Sequence, residues 1–274
     1  LEGKKIILFV TSAFAILSVI YALSLTNIYR SDALLMGAES QETGGLSQYS
    51  GLASLAGIGL TNSADGVGEI IEIIQSRAFV KHLITFEGVL ESMMAAGSYD
   101  DILGDLSYDP EIFNEENGTW NKKPSYLKTH KAYLGEILSI SQDLKTGFVS
   151  ISVEHISPIF AKDFLALVIK EANALKREKD IETSNKALSY LKIELAKTPL
   201  VEIRASISKL IQAQLETQMR AKITEEYSLV VLEPPFIPEV RAKPNRVFIC
   251  ILGTMLGGIL SIIFLLFRNT FFRG

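Results

Sequence analysis

The chain has 274 residues, 48% of them hydrophobic, and a formal net charge of −4. Two uncharged apolar runs exclude a wholly soluble globule, and the acidic balance excludes a nucleic-acid footprint, which needs clustered Lys and Arg. The single cysteine, Cys250, excludes a disulfide framework and lies in the second of those runs.

The first run is residues 6–25, "IILFVTSAFAILSVIYALSL", and the second is 247–267, "VFICILGTMLGGILSIIFLLF". At about 1.5 Å of rise per residue, each is long enough to cross a hydrocarbon core of ~30 Å. Lys4 and Lys5 precede the first run, and Ala22-Leu23-Ser24 loosely resembles a cleavage site. The run is nevertheless longer than the roughly 7–15 residues of a signal-peptide core, so it reads as a retained anchor. The chain starts at a leucine, so residues 1–5 are expected to be the remnant of a longer cytoplasmic N-terminus. Lys4 and Lys5 outside the first span, and Arg268 and Arg273 in the tail 268–274, place both ends in the cytoplasm by the positive-inside rule. Arg241, Lys243 and Arg246 oppose that vote, but a domain as long as 26–246 is translocated regardless of charge. The expected address is a bacterial inner membrane with the main domain in the periplasm. Setting aside Glu2, Lys4, Lys5, Arg268 and Arg273, residues 26–246 hold 30 acidic and 23 basic residues, a net of −7.

After the first span, "NIYRSDALLMGAE" reads as a strand. Residues 43–66, rich in Gly, Ser and Ala, read as a compact loop. From Val67 to about Ala96, Ile70, Ile71, Ile74, Phe79, Val80 and Leu83 recur at helical spacing. Residues 99–123 read as a surface excursion with Asn117-Gly118 as a turn, and Pro124 can open a helix to about Ile137. "LSISQDL" and "GFVSISVE" around Lys145-Thr146-Gly147 predict a β-hairpin, with Val149, Ile151 and Val153 on one face. Whether the strands of this base pair parallel or antiparallel is not decided by the sequence.

Ser157-Pro158 opens the longest helical pattern, running to about Lys197, where Thr198-Pro199 ends it or bends it. Its first half is amphipathic, whereas its middle, "KREKDIETSNK", is polar nearly all round and is expected to project outward or lie against sister chains. A second helix, about 201–224, returns with Ile203, Ile207, Leu210, Ile211, Leu215 and Met219 as its stripe. "YSLVVLE" then reads as a strand leading back to the membrane. The fold class is α+β: two transmembrane helices flank an α/β base (about 26–156 and 226–246) that carries a long protruding helical hairpin (about 157–225).

Pro234, Pro235, Pro238 and Pro244, four of the chain's eight prolines, directly precede the second span. They remove backbone donors and favour an extended, semi-rigid spacer of about 3.1 Å per residue. Inside that span Gly253 and Gly257 form a G-x-x-x-G followed by Gly258, which permits close helix contact and could mark an interface or a recruitment face.

Taken together, the strap, "GLASLAGIGL" (51–60), "SRAFVKHLI" (76–84) and "TGFVSISVEHISPIFAKDF" (146–164) resemble the chain length determinant family, the class-1 polysaccharide co-polymerases. The resemblance implies homo-oligomeric rings in the periplasm. It also implies control of the modal length of O-antigen or a related undecaprenyl-linked polysaccharide, together with a membrane polymerase. Kinase relatives carry an ATPase after the second span, where this sequence has only "RNTFFRG", and no G-x-x-x-x-G-K-[ST] occurs.

No catalytic constellation, metal site or cofactor is predicted. His82, His130 and His155 stand apart, Asp100, Asp101, Asp105 and Asp109 do not fit a calcium loop, and Gly57-Ile58-Gly59 lacks the third glycine of a dinucleotide fingerprint. Lys122, Lys123, Lys128 and Lys131 form a modest basic cluster that reads as a solvated helix start. The leading reading is a non-enzymatic oligomeric regulator. The alternative is an adaptor for capsule or exopolysaccharide export, and a two-span ligand sensor ranks third.

Overall fold

The computed structural model describes residues 2–38 and 63–272, so residues 43–62 of the predicted loop, with the segment 51–60, lie outside the described residues, and 63–66 are helix rather than loop. The chain divides into two compact units: residues 1–29 with 239–274, and residues 30–238.

The first unit is built on α1 (Glu2–Ser24) and the C-terminal helix α8 (Arg246–Phe272). Their windows Ile7–Ser24 and Arg246–Ile263 have mean hydropathies of 2.2 and 2.1 and are almost entirely unburied, as apolar helices are when lipid rather than protein is their solvent.

The second unit is organised on strand β1 (Ile28–Gly37). Period-2 alternation turns Ser31, Ala33 and Leu35 inward, while Arg30 and Asp32 pair at 2.7 Å on the opposite face. The sheet order is β6-β7-β1-β8, where β6 is Leu138–Gln142, β7 Phe148–His155 and β8 Leu229–Glu233. β6 and β7 pair antiparallel with Ile140 opposite Ile151, and β1 and β8 pair antiparallel with Leu35 opposite Val231. The β6–β7 turn is set by Asp143, whose carboxylate accepts from Lys145 N at 2.8 Å, and by Gly147 at φ 76°. Val149, Ile151 and Val153 are fully buried, as the predicted hairpin face requires.

The helical pattern of 67–96 is broken into α2 (Ser63–Gln75), α3 (Arg77–Leu83) and α4 (Val89–Ala95). The breaks have local causes: the Ser76 hydroxyl caps Phe79 N at 3.1 Å, and Gly88 adopts φ 75°, which ordinary residues resist. The predicted excursion holds two small hairpins, β2–β3 (Ala96–Asp100, Asp105–Tyr108) and β4–β5 (Phe113–Asn114, Thr119–Trp120), with Tyr108, Phe113 and Trp120 in ring contact. Their strands are too short to show periodicity. α5 (Tyr126–Ala132), capped by the Ser125 hydroxyl, starts two residues after the helix opening predicted at Pro124 and ends in a π turn over Tyr133–Ile137.

The long helix α6 (Pro158–Lys197) begins where Ser157 caps Phe160 N at 3.2 Å and Pro158 presets the first turn. Phe164, Leu165, Val168 and Ala172 bury its first half against the sheet and α2, about 1.5–3 kcal/mol for each large side chain. Three residues, 198–200, join it to α7 (Val201–Ile223).

Candidate functional site

In the first unit, α1 and α8 meet through the predicted glycines. A Cβ built on Gly257 would stand 2.5 Å from Phe14 Cβ, and one on Gly253 would overlap Ser18. The face carrying Gly253 and Gly257 is therefore occupied by α1 of the same chain, whereas Gly258 has no heavy atom within 4 Å of its Cβ position. Close approach of this kind is how small residues let apolar helices gain van der Waals contact without a hydrophobic driving force. Ala22 and Ser261 are buried in the same unit, and Arg246 Nη2 donates to Asn27 Oδ1 at 3.0 Å. The outward-facing residues Phe9, Ile16, Ile20, Val247, Ile251 and Met255 are large and apolar.

The proline strap is neither helix nor strand over residues 234–240. Pro238 is buried, Pro235 and Pro244 are half-buried and Pro234 is exposed. Its backbone is nevertheless tied down: the buried Ser31 hydroxyl donates to Phe236 O at 2.7 Å. Beyond it, β9 (Arg241–Lys243) pairs antiparallel with Ile28 and Tyr29. The pattern did not predict β9, because its three residues, all exposed, carry no alternation.

The hairpin differs from its expected form in two respects. First, part of the polar middle of α6 is held by its own chain, while Glu178, Glu182, Thr183, Asn185 and Lys186 stay exposed. Lys176, 9% exposed at its side chain, reaches Asp180 Oδ1 at 2.6 Å and Glu69 Oε2 at 3.0 Å, and Lys179 reaches Glu69 Oε1 at 2.8 Å. Tyr227 donates to Asp180 Oδ2 at 2.9 Å, closing a network over α2, α6 and the start of β8. Burial pushes the Glu69 carboxyl up, but the hydrogen bonds and charges of Lys179 and Lys176 outweigh it and hold the group below the usual range. The bond to Glu69 raises Lys179, and burial followed by the Asp180 charge raises Tyr227.

Second, the apolar stripe predicted for α7 forms the seam only in part: Ile207, Leu210 and Ile211 join it, and Leu215 and Met219 do not. Ile207, Leu210, Gln214 and Ala221 are the buried positions, whereas Leu215 is 45% and Met219 64% exposed. The seam is polar at mid-height, with Ser184 buried and Gln218 donating to Asn185 Oδ1 at 2.7 Å, and apolar further out, where Leu191, Ile207 and Leu210 cluster. Facing a polar α6 segment, α7 turns Gln214 and Ala221 inward and leaves Leu215, Met219 and Ile223 outside at i, i+4 and i+8.

Asn173 was not singled out by the sequence. Lying between two alanines on the apolar half of α6, it is 3% exposed and bonds the β8 backbone. An asparagine on an apolar helix face is the signal that could have found it.

No group of three or more His, Cys, Asp or Glu is arranged to hold a metal among the described residues. The three histidines are separate: His82 contacts Glu171 Oε2 at 2.8 Å, His130 Nε2 meets Gln75 O at 2.8 Å, and His155 is buried. Lys122, Lys123, Lys128 and Lys131 are all exposed.

The model of the family described as chain length determinant protein, Wzz, matches residues 1–86. Residues 1–86 thus carry the chain length determinant pattern. The Wzz resemblance read from the sequence is borne out there, over a stretch that takes in α1, β1, α2 and α3 with "SRAFVKHLI". The strap, the span glycines and the hairpin lie outside the Wzz match. Among solved structures, the chain is similar to a full-length bacterial polysaccharide co-polymerase, at 12% identity and TM-score 0.43, covering 99% of this chain and 96% of that one. It is also similar to a fragment of WzzB, a polysaccharide co-polymerase from Salmonella Typhimurium, at 13% identity and TM-score 0.37, covering 79% and 100%. No curated protein matches the chain significantly.

Proposed function

We propose that this chain is a non-enzymatic regulator of the modal length of a lipid-linked surface polysaccharide, O-antigen or a related polymer, acting with a membrane polymerase. The observation that carries the reading is the Wzz match at residues 1–86 in a chain that also has two membrane-length helices and a long helical hairpin. The chain is anchored in a bacterial inner membrane with both ends in the cytoplasm, as Lys4, Lys5, Arg268 and Arg273 favour, and its larger unit is periplasmic. It works as a homo-oligomeric ring. The outward stripe Leu215, Met219 and Ile223 offers a second copy of the chain an apolar surface to bury. Pro234, Pro235, Pro238 and Pro244 restrict the connection into the second span, and a common geometry among copies is the use we assign to that stiffness. Polymer engages the assembly without any covalent step on this chain, and no cofactor takes part.

The test is the surface polysaccharide ladder, run on a gel from cells with and without the gene. Collapse of a clustered modal band into a smooth distribution of short chains is the expected result. An unchanged ladder with loss of secreted capsule or exopolysaccharide would overturn it in favour of an export adaptor.

A further inference from the structure

His155 ends β7 two residues before the cap of α6, and the residue is 7% exposed. Both ring nitrogens are engaged by backbone. Nδ1 accepts from Ser157 N at 3.0 Å, and Nε2 lies 2.9 Å from Ser92 O in α4. A backbone N–H facing Nδ1 requires a lone pair there, and a carbonyl facing Nε2 requires a proton there. Only the neutral imidazole with its hydrogen on Nε2 satisfies both. The Ser157 hydroxyl caps Phe160 N, and the Phe160 ring lies 4.4 Å from the imidazole, so ring, cap and first turn form one joint.

We infer that His155 is an acid-sensitive latch fastening the start of the 40-residue helix α6 to α4, closed while the imidazole is neutral and opened by its protonation. A second proton has only Nδ1 to go to, where it meets the Ser157 N–H: two donors then face each other, and a charge is created inside the core. Among the described residues, burial and two backbone bonds act on the ring, and no charged side chain offsets that charge. From α4 it faces Ser92; from the α6 start, Ser157 and Phe160; and the titratable group reached through Ser92 is the Tyr108 phenol of β3, 3.4 Å from Ser92 Oγ. Burial is the largest influence on the imidazole and lowers its proton affinity below the ordinary 6.5, outweighing the two backbone bonds, which raise it. The sign follows: the unfolded imidazole binds its proton near 6.5 and the folded one at lower pH, so stability is retained above 6.5 and is lost as pH falls below it.

The latch is independent of the chain-length reading and is tested on the full chain in detergent micelles. Mass-spectrometric exchange at the histidine C2 position gives the ring's titration, and backbone amide exchange over residues 156–165 gives the state of the joint. His155 should titrate below 6.5. Exchange of the α6 start, corrected for its intrinsic pH dependence, should rise by up to about tenfold per pH unit as pH falls from 6.5 toward that titration and level off below it, with residues 188–210 unchanged. His155→Gln, whose amide can donate to Ser92 O but takes up no proton, should remove the acid response. An imidazole titrating at or above 6.5, an α6 start that exchanges no faster in acid, or a His155→Gln chain with the wild-type acid response would each overturn the latch. The ring titration is read on the unmodified chain, so it decides the matter even if the variant misfolds.

Discussion

The side chain of Asn173 pairs with Leu229 as a neighbouring strand would: its Oδ1 accepts from Leu229 N at 2.9 Å and its Nδ2 donates to Leu229 O at 3.0 Å. Oδ1 also accepts from Ser228 N at 2.8 Å, so one amide in α6 serves three backbone groups where β8 begins. Asn173→Ala should therefore destabilise the larger unit by about 2–4 kcal/mol, because it leaves buried backbone groups unpaired. Asn173→Asp keeps the acceptor and should recover part of that loss. Denaturant midpoints of the purified chain decide it, and a loss under about 1 kcal/mol for the alanine variant would show that water replaces the amide.

Gly257 and Gly258 are adjacent but inequivalent. Gly257→Leu must displace Phe14, whereas Gly258→Leu enters open space. Thermal melts in detergent should show Gly257→Leu, and likewise Gly253→Leu, several degrees below wild type with Gly258→Leu close to it. Equal effects at 257 and 258 would contradict the packing of α1 on α8. If Gly257→Leu leaves both oligomer size and polysaccharide chain length unchanged, span packing has no bearing on the proposed function.

Tyr133 is fully buried, and among the described residues no protein atom partners its hydroxyl. Burial raises the phenol far above its ordinary value, so it is neutral throughout the usual pH range. Tyr133→Phe should be neutral or stabilising by up to about 1 kcal/mol, since it removes a desolvated polar group and keeps the ring's edge-to-face contact with Phe164. Destabilisation beyond about 1 kcal/mol in the same unfolding assay would mean that the hydroxyl has a partner in solution.

Glu69 gives a pH dependence of opposite chemical origin to that of His155. Its carboxyl is held low by Lys179 and Lys176, so the pair's contribution is complete above the ordinary 4.5 and disappears as pH falls through the lowered value. Glu69→Gln should cost stability at pH 7 and flatten the acid limb below 4.5 relative to wild type. Parallel curves for the two chains across that range would show that the carboxylate and its lysines are not coupled in solution.

The elements legible in the sequence were those fixed by neighbours along the chain. Ser157-Pro158 and Thr198-Pro199 bound α6 within a residue, and alternation in "GFVSISVE" found β7 and its buried face. What escaped depends on partners far away in sequence. Asn173 contacts residues 55 and 56 positions away, and Lys179 and Lys176 meet Glu69 across more than a hundred. The same blindness explains why "KREKDIETSNK" looked unable to pack at home. A polar stretch finds a polar seat when Glu69, Tyr227 and Gln218 are brought to it, and periodicity records no such supply. Gly253 and Gly257 were legible as a motif, but their neighbours Ser18 and Phe14 were not.

The alternation of seam chemistry also gives the hairpin a single length. Its two helices are joined by the Leu191–Ile207–Leu210 cluster and the Asn185–Gln218 bond. Sliding α7 along α6 by one turn, about 5.4 Å, would take both fastenings apart at once, setting amides against leucines. A uniformly leucine-lined seam would tolerate that slip as a ratchet does. The mixed one works as a keyed joint with one register, so each copy of the chain carries an arm of the same reach.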